Sequence, residues 1–330
     1  MRASPRQQSG VALMMVLLAF ALAGIFTTGM MSRQSLMIQG TGNYLTQSEA
    51  QSLALGAEAF ARQILWRDWQ GDRESDAFVD DGNETWAANS VALPVERGAI
   101  EAQINDLQGR LNLNDLVDSQ GQVNPVMAGR FGRLLEALDV RSVTVEAMID
   151  WIDPDNDPTG PGGSEDGDYL LYDPPYRAAD RPMTDLSELR LIDGMSREDY
   201  QRLLPHVAVL PMAGQPLNVN MMTVPVIQSL HEDITTAAAE SVAEARAEAR
   251  FETVGDFLAR EEFAGMGLDE EGLTVRSFFF QSASRVTVAD NVYRLVSTLH
   301  RDPEGELSVI ARDAGQTGII TKERVSVPEG

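Results

Sequence analysis

The sequence predicts an α+β fold in which a long N-terminal helix packs on an antiparallel sheet and a large all-α domain is inserted between strands. An apolar stripe at helical spacing follows an uncharged stretch within residues 11–68. Apolar and polar residues alternate in 98–113 and again beyond residue 272, which is typical of strands. The patterns between these two regions are helical, so sheet elements flank a helical segment.

The N-terminal segment has the composition of a membrane-spanning helix. A basic leader ends at Gly10, and no charged residue follows until Arg33. Residues 11–31 reach about 30 Å as a helix, which is enough to cross the hydrocarbon of a bilayer. The small residue precedes the apolar stretch, whereas a secretory signal has its cleavage site after it. Cleavage between Gly10 and Val11 leaves the membrane helix at the new N-terminus. An ordinary signal anchor with an accidental glycine is the alternative.

The composition excludes several classes of protein. The net charge of −24 disfavours nucleic-acid binding and predicts repulsion from anionic lipid beyond the anchor. The chain has no cysteine, so disulfides and thiolate metal sites are excluded and stabilisation must come from packing or an oxygen-bound cation. Arg2 and Arg6 precede the apolar stretch, and the flank after it soon turns acidic. The positive-inside rule therefore predicts a single-pass protein with a cytoplasmic N-terminus and its bulk outside.

The helix after the membrane segment has one apolar stripe. Its members recur at i, i+4, i+7, i+8 and i+11: Leu53, Ala57, Phe60, Ala61 and Ile64. A helix that is continuous over residues 11–66 is roughly 80 Å long. Gly40 and Gly42 weaken the connection between the membrane segment and the helix that follows it, so two helices with a glycine hinge are the alternative.

The remaining elements follow from composition and period. Residues 69–97 are polar and rich in Gly and Asp, which predicts loop and weak strand. One or two strands are predicted in 98–113, around a break at 108–110. Helices are predicted at 131–138, 145–152, 186–191, 197–204, 224–230, 237–250 and 253–258. Strands are predicted at 275–281, 285–289, 292–299 and 307–312, followed by a frayed tail from residue 315.

The most chemically distinctive stretch is acidic. Residues 150–168 contain seven carboxylates and no lysine or arginine. Mutual repulsion at this density disfavours a compact fold without a cation, and oxygen ligands on a Gly/Pro-rich loop suit Ca²⁺. The stretch is not an EF-hand, because Pro158 stands where glycine is needed and Ser164 where glutamate is needed. A solvated acidic loop without an ion is the alternative.

The N-terminus resembles the class III signal of type IV pilins and type II secretion pseudopilins, which a prepilin peptidase cuts on the cytoplasmic side. Most of these proteins have a glutamate at the fifth mature residue, whose carboxylate neutralises the amine of a neighbouring subunit. Met15 stands there in this chain. A missing glutamate is typical of the large minor pseudopilin called general secretion pathway protein K. The resemblance implies a place at the filament tip, where no further subunit needs that carboxylate.

The acidic stretch is similar to the same family. The similarity covers residues 150–179 and 185–191, together with Gly109-Arg110-Leu-Asn112-Leu-Asn114 and Asn218-Val-Asn220. In that family the acidic residues lie in an α-domain and hold calcium. The resemblance implies calcium ligands at Asp153, Asp155, Asp157, Glu165, Asp166 and Asp168. Family members with a disulfide near this region differ from this chain, so bound calcium would have to stabilise it more.

The resemblance also implies architecture, partners and place. It divides the chain into a leader (1–10), a membrane part of the helix (11–33), a first pilin-like part (34–113), an inserted α-domain (114–272) and C-terminal strands (273–330). It implies an inner-membrane subunit with an N-methylated mature terminus and a periplasmic bulk. Its partners would be the I and J minor pseudopilins, the major pseudopilin, the prepilin peptidase and membrane lipid. Gly24 and Gly29 would allow close helix packing.

No pattern typical of an active site is present. The three histidines, His206, His231 and His300, are isolated, and no metalloprotease, hydrolase or phosphate-loop spacing occurs. We therefore expect a non-enzymatic minor pseudopilin of the type II secretion system. A minor pilin of a type IV pilus is the first alternative, and a signal-anchored, calcium-dependent periplasmic enzyme is the second.

Overall fold

The longest element is the helix α1, Ser9–Ser75, whose 67 residues extend about 100 Å. The structure is a computed structural model that describes residues 9–289, 291–315, 320–322 and 324–326. Helix α1 is continuous through Gly40 and Gly42, so the alternative of two hinged helices is wrong. The prediction of loop from residue 69 is also wrong, because Trp69 is buried under the turn at Gly305 and the helix continues around it.

Helix α1 contacts the sheet through small side chains. Its buried stripe is formed by Ala50, Ala54, Ala57, Ala61 and Leu65. Phe60 belongs to the apolar stripe predicted from the sequence, but it lies outside the buried stripe and is 47% exposed. Alanine lets the helix backbone approach the strands closely, whereas a phenylalanine in the stripe would hold them apart.

The sheet is formed before and after a helical segment. After α1 come α2 (Thr85–Ala88), β1 (Ser90–Val95), β2 (Gly98–Asp106) and β3 (Leu111–Asn112). The next elements are α3 (Pro125–Ala137), α4 (Val145–Asp150), α5 (Asp166–Tyr169), α6 (Arg197–Leu203), β4 (Val207–Ala208), β5 (Leu217–Asn218), α7 (Val224–Gln228), α8 (Thr236–Glu248), α9 (Val254–Leu258) and β6 (Leu273–Thr274). Short 3₁₀ helices lie at Leu113–Leu116, Leu186–Leu191 and Glu261–Phe263. The last strands are β7 (Phe279–Val288), β8 (Asn291–Arg301), β9 (Leu307–Asp313) and β10 (Arg324–Ser326).

The six main strands form one sheet in the order β10-β1-β2-β7-β8-β9. All neighbours are antiparallel except β1 and β10. Strands β2 and β7 pair along their whole length, although residues 107–278, which we call the helical block, separate them in sequence. This arrangement confirms the predicted α+β fold with its helical insertion.

Two strand predictions are corrected. Two strands were predicted at 275–281 and 285–289, but β7 is one strand, because Ser282 and Ser284 pair with both neighbouring strands and the ladder is unbroken. The tail was predicted to be frayed from residue 315, which is wrong for β10, because β10 pairs in parallel with β1. Residues 316–319, 323 and 327–330 of that tail lie outside the described residues.

The helical block has its own core and attaches to one end of the sheet. Phe131, Met148, Tyr169 and Phe257 belong to a buried cluster that is separate from the two clusters under α1. Asparagine side-chain amides bind backbone carbonyls both within the block and where the block meets the segment before β1. Asn114 Nδ2 donates to the Leu210 carbonyl at 2.9 Å, and Asn218 Nδ2 donates to the Asp80 carbonyl at 3.0 Å. The asparagines of the family-like motifs therefore bind backbone groups.

Candidate metal centre

Helix α4 supplies the residue around which the acidic loop folds. Thr144 caps α4 by accepting a hydrogen bond from the Ala147 amide at 3.1 Å. Asp150, the last residue of α4, is fully buried. Its carboxylate accepts hydrogen bonds from the Thr159 amide at 2.9 Å and the Ser164 amide at 2.7 Å. These bonds fold the loop back over the end of the helix.

Asp153, Asp155 and Glu165 converge within this loop. One carboxylate oxygen from each residue lies within 4.8 Å of the other two. Asp153 and Glu165 are each 4% exposed, whereas Asp155 is exposed to solvent. Because calcium–oxygen distances are about 2.4 Å, three oxygens at such separations can ligate one calcium ion. We call these three residues the carboxylate cluster.

The carboxylate cluster is electrostatically unfavourable by itself. Oδ1 of Asp153 and both carboxylate oxygens of Glu165 are buried without a hydrogen-bond partner. Burial and the neighbouring charge of Asp155 raise the pKa of Asp153 to about 7. Burial and repulsion from Asp150 and Asp153 raise the pKa of Glu165 to about 8. Since an unpartnered buried carboxylate is costly, the loop requires either protons or a cation at these oxygens.

Three of the predicted ligands lie outside the carboxylate cluster: Asp157, Asp166 and Asp168. Asp157 is exposed to solvent. Asp166 forms an ion pair with Arg177. Asp168 accepts a hydrogen bond from the Glu165 amide at 3.2 Å and so orients the N-cap residue of α5. In this structure, Asp166 and Asp168 therefore bind groups of the loop.

Sequence reasoning missed two acids of the site, Asp150 and Asp180. Asp150 organises the loop, and its place at the start of the acidic stretch was the available signal. Asp180 has a buried Oδ1 without a partner, and its charge contributes to the raised pKa of both Asp153 and Glu165. Its backbone is left-handed, with φ of 49°. No spacing rule connects Asp180 to the loop, because the fold brings it there.

The donor set fits a hard divalent cation. All the converging donors are carboxylate oxygens, which calcium accepts in sets of six to eight with backbone carbonyls and water. Zinc and other borderline metals prefer nitrogen and sulfur ligands, which the carboxylate cluster does not offer. The unpartnered oxygens of Asp153, Glu165 and Asp180 all belong to this small region. The residues present therefore fit a calcium ion.

The N-terminal part of α1 carries the other predicted site residues. Within the described residues, α1 is the one helix with the length and hydropathy of a membrane span, and its most apolar window is unburied. Gly10 and Val11 lie in its first turn, while residues 1–8 of the leader are outside the described residues. Gly24 and Gly29 have no neighbour within 4 Å. They are five residues apart, or about 140° around the helix, so they lie on different faces of α1.

Comparisons with known proteins identify the family. Residues 109–212 and 217–276 match two families that share the description "Type II secretion system (T2SS), protein K". The type II secretion system protein K of Pseudomonas aeruginosa is 39% identical over 320 residues, which is 95% of each chain. This chain belongs to the type II secretion system protein K family. Protein K of Klebsiella pneumoniae is 35% identical over 77% of this chain and 80% of its own.

A solved structure of the protein K family has the same fold. The match is to the crystal structure of the GspK-GspI-GspJ complex from enterotoxigenic Escherichia coli, with a TM-score of 0.70 and 26% sequence identity. It covers 84% of this chain and 99% of that chain. The chain is therefore a minor pseudopilin of the type II secretion system, as the resemblance of its N-terminus and acidic stretch implied. The region 109–212, which matches the first family, contains the whole carboxylate cluster.

Proposed function

We propose that this minor pseudopilin is anchored in the inner membrane by the first part of α1 and stands at the tip of a periplasmic pseudopilus. The observation that carries the proposal is the single continuous α1. Its first part is apolar and exposed, and its second part packs on the sheet through an alanine stripe. Such a helix can join the membrane, or the helical core of a filament, to a folded domain.

The position of the helical block supports a place at the tip. The block attaches where α1 ends, since the Asp80 amide donates to the Val275 carbonyl at 2.9 Å. At the same end, Arg301 of β8 pairs with Asp68 of α1 at 3.2 Å. The block therefore lies at the end of α1 opposite the membrane part. A large insertion there extends beyond the filament when the subunit is last in the assembly.

Met15 supports the same position. In related pseudopilins a carboxylate at this point neutralises the amine of the next subunit, and a methionine cannot do so. A buried unpaired ammonium is costly in the membrane, so a subunit without this carboxylate suits the one place where no further amine must be neutralised. We propose maturation between Gly10 and Val11 with the leader in the cytoplasm, followed by methylation of Val11.

An apolar groove beside α1 offers a surface for the other pseudopilins. Helix α1 covers the central strands β7 and β8, and β1 and β2 are left partly open on the same face. The groove has a volume of about 310 Å³ and is lined by apolar side chains that include Leu53, Phe60, Ile64 and Leu93. We propose that it receives the amphipathic helix of a neighbouring subunit, the I or J component. The similar chain of known structure is described in a GspK-GspI-GspJ complex.

We further propose that the carboxylate cluster holds calcium. Asp153, Asp155 and Glu165 would ligate the ion, with Asp180 beside them. The bound ion supplies the positive charge that these residues lack, which allows both buried carboxylates to ionise together. The role we assign is structural: the ion would hold the end of α4 against the start of α5.

A catalytic role is not proposed. The histidines found in the described residues make structural contacts. His206 Nδ1 lies 2.6 Å from the Thr223 hydroxyl, and burial lowers its pKa to about 4. The His300 ring packs against Phe279 with centroids 4.8 Å apart. These contacts favour an assembly subunit over a calcium-dependent enzyme.

Maturation is tested by N-terminal sequencing of the chain after co-expression with a prepilin peptidase. We expect Val11 as the first residue, and Gly10→Val as a control that remains uncleaved. An intact leader in the wild-type chain, or cleavage after the apolar stretch near Ala23, would contradict the proposal.

Assembly is tested by co-purification of the full chain with the I and J components. Phe60→Glu introduces a charge into the groove at a side chain that is 47% exposed, so the fold should tolerate it while the complex is lost. The matched control is Ile310→Glu, an equally exposed apolar residue on the edge strand β9. Loss of the complex in both variants, or in neither, would contradict the groove as the assembly surface.

A further inference from the structure

An apolar patch on the helical block is exposed beside the acidic loop. It consists of Leu170, Leu171, Tyr172 and Leu191, and we call it the leucine patch. Leu171 is 84% exposed, more than any other large apolar side chain of the described residues, and the other three are 44–46% exposed. Single exposed leucines are common on protein surfaces, but adjacent ones mark interaction sites.

The backbone beneath the leucine patch is held in place although its leucine side chains are exposed. The Leu171 amide donates to the Asp168 carbonyl at 3.0 Å. The Tyr176 hydroxyl donates to the Leu191 carbonyl at 2.8 Å, and the Tyr172 ring stacks on Tyr176 with centroids 5.6 Å apart. Tyr176 therefore contacts both the Leu191 backbone and the Tyr172 ring. A preordered apolar surface binds a partner without a large loss of its own conformational freedom.

The surroundings of the leucine patch are acidic. Asp168 and Asp173 are exposed on either side of the apolar residues, and Asp193 is half-buried next to them. Two arginines lie near the patch in sequence: Arg177 is paired with Asp166, and Arg190 packs over the Tyr200 ring at 5.9 Å. The patch therefore presents apolar side chains within a negative field, and a complementary partner brings positive charge.

We propose that the leucine patch is a docking surface for a basic polypeptide segment of another protein, in which lysine or arginine flanks an apolar side chain. The surrounding acids repel anionic lipid headgroups, which disfavours a membrane as the occupant. A second copy of this chain is disfavoured by its net charge of −24. The surface lies on the helical block, away from the groove beside α1, so it is additional to the assembly surface proposed above.

The test is photo-crosslinking from position 171 of the full chain, in cells that assemble the whole secretion system. Benzoylphenylalanine replaces Leu171 and, in a matched control, Val126, which is 60% exposed on α3 of the same block. We expect a protein adduct from position 171 and none from position 126. Mass spectrometry of the adduct should show lysine or arginine next to the joined residue of the partner.

The charge component is tested in the same assay. Asp173→Lys should lower the yield of the adduct about fivefold, as expected for reversing one exposed charge at an interface. Glu244→Lys, at an exposed position of α8, should leave the yield unchanged, and both variants should keep the wild-type melting temperature. The proposal is overturned by equal yields in the two variants, by an adduct with lipid or with this chain, by a partner segment without basic residues, or by no adduct specific to position 171.

Discussion

Two acidic clusters in this molecule bring carboxylates equally close together but differ in whether a basic side chain lies among them. At the end of α1, carboxylate oxygens of Asp68, Asp80 and Glu84 lie within 4.8 Å of one another, as do those of the carboxylate cluster in the helical block. The first cluster contains Arg301, which is 2% exposed and binds Asp80 at 2.6 Å and Asp68 at 3.2 Å. No lysine or arginine of the described residues binds the second cluster.

The difference explains why we expect an external cation at the second cluster and not at the first. Arg301 comes from β8, so the ordinary packing of α1 on the sheet delivers a base to the first cluster. Arg177, the first arginine after the acidic loop in sequence, pairs with Asp166. Buried carboxylates are stabilised only by a partner charge, by hydrogen bonds or by protonation. Oδ1 of Asp153 and both carboxylate oxygens of Glu165 have neither a partner charge nor a hydrogen bond, so the second cluster is the one that we expect to depend on calcium.

The largest expected loss of stability follows from removing Arg301 from the first cluster. Arg301→Met leaves Asp80, which is 1% exposed, without its counter-charge and should destabilise the full chain in detergent by about 3–5 kcal/mol. Urea unfolding measures the loss, and calcium should not restore it. The control Arg141→Met removes an exposed pair with Asp139 and should cost less than about 1 kcal/mol. Equal effects of the two changes would contradict a special role for Arg301.

The second effect is the response of the other cluster to calcium. Calcium at about 100 times its dissociation constant stabilises a protein by about 2.7 kcal/mol, or roughly 4 °C in melting temperature for a chain of this size. We expect this shift in the wild-type chain, with EDTA as the reference, and its loss in the double variant Asp153→Asn with Glu165→Gln. Asp157→Asn, which neutralises an exposed acid of the same loop, should keep the shift. A wild-type chain that is indifferent to EDTA would contradict the site.

A smaller effect on calcium affinity is expected from a substitution that moves the acidic loop without changing its charge. A Cβ at Gly163 would lie 2.2 Å from Oδ2 of Asp150, so Gly163→Ala should displace the loop without changing any charge. We expect a loss in calcium affinity of about tenfold, which corresponds to about 1.4 kcal/mol. Gly167→Ala is the control, because a Cβ there has no neighbour within 4 Å. Unchanged affinity in the Gly163 variant would show that Asp150 does not organise the site.

The smallest expected effect is on how the stability of the folded chain depends on pH. Without calcium, the pKa of Asp153 is raised to about 7 and that of Glu165 to about 8, so the folded chain binds more protons than the unfolded chain above about pH 4. Stability should therefore fall as pH rises from about 5 to 8, and calcium should reduce this slope.

The first cluster, at the end of α1, also makes stability fall as pH rises. Calcium should not change this part of the pH dependence. Burial is the main cause that raises the pKa of Asp68 to about 7 and that of Glu84 to about 9. Melting curves between pH 5 and 9, for the wild-type chain and the double variant, distinguish the two contributions. If calcium does not change the pH dependence of the melting temperature, the whole dependence comes from the first cluster.

The sequence was sufficient for the order of the longer elements, because period and composition are local properties. Helix α1, the strands β2 and β8, and the helical block between β2 and β7 all follow from such patterns. The side of α1 that faces the sheet was not predictable from hydropathy alone. Close packing selected the alanines and left Phe60 at the surface, which is a property of the helix and sheet together.

The candidate site was predictable in part for the same reason. The density of carboxylates identified the loop, but only the fold shows that Asp153, Asp155 and Glu165 converge while Asp166 turns to Arg177. Asp180 reaches the site from outside the loop, and Arg301 reaches the other cluster from a distant strand. These are contacts between residues far apart in sequence, which a single sequence does not encode as a pattern.

The central claim is that an external cation replaces the missing base at the carboxylate cluster. Equilibrium binding of radioactive calcium to the detergent-solubilised full chain tests it most directly. We expect stoichiometric, saturable binding to the wild-type chain and its loss in the double variant Asp153→Asn with Glu165→Gln. A wild-type chain that binds no calcium at millimolar concentration, or a double variant that binds as well as the wild type, would contradict the claim.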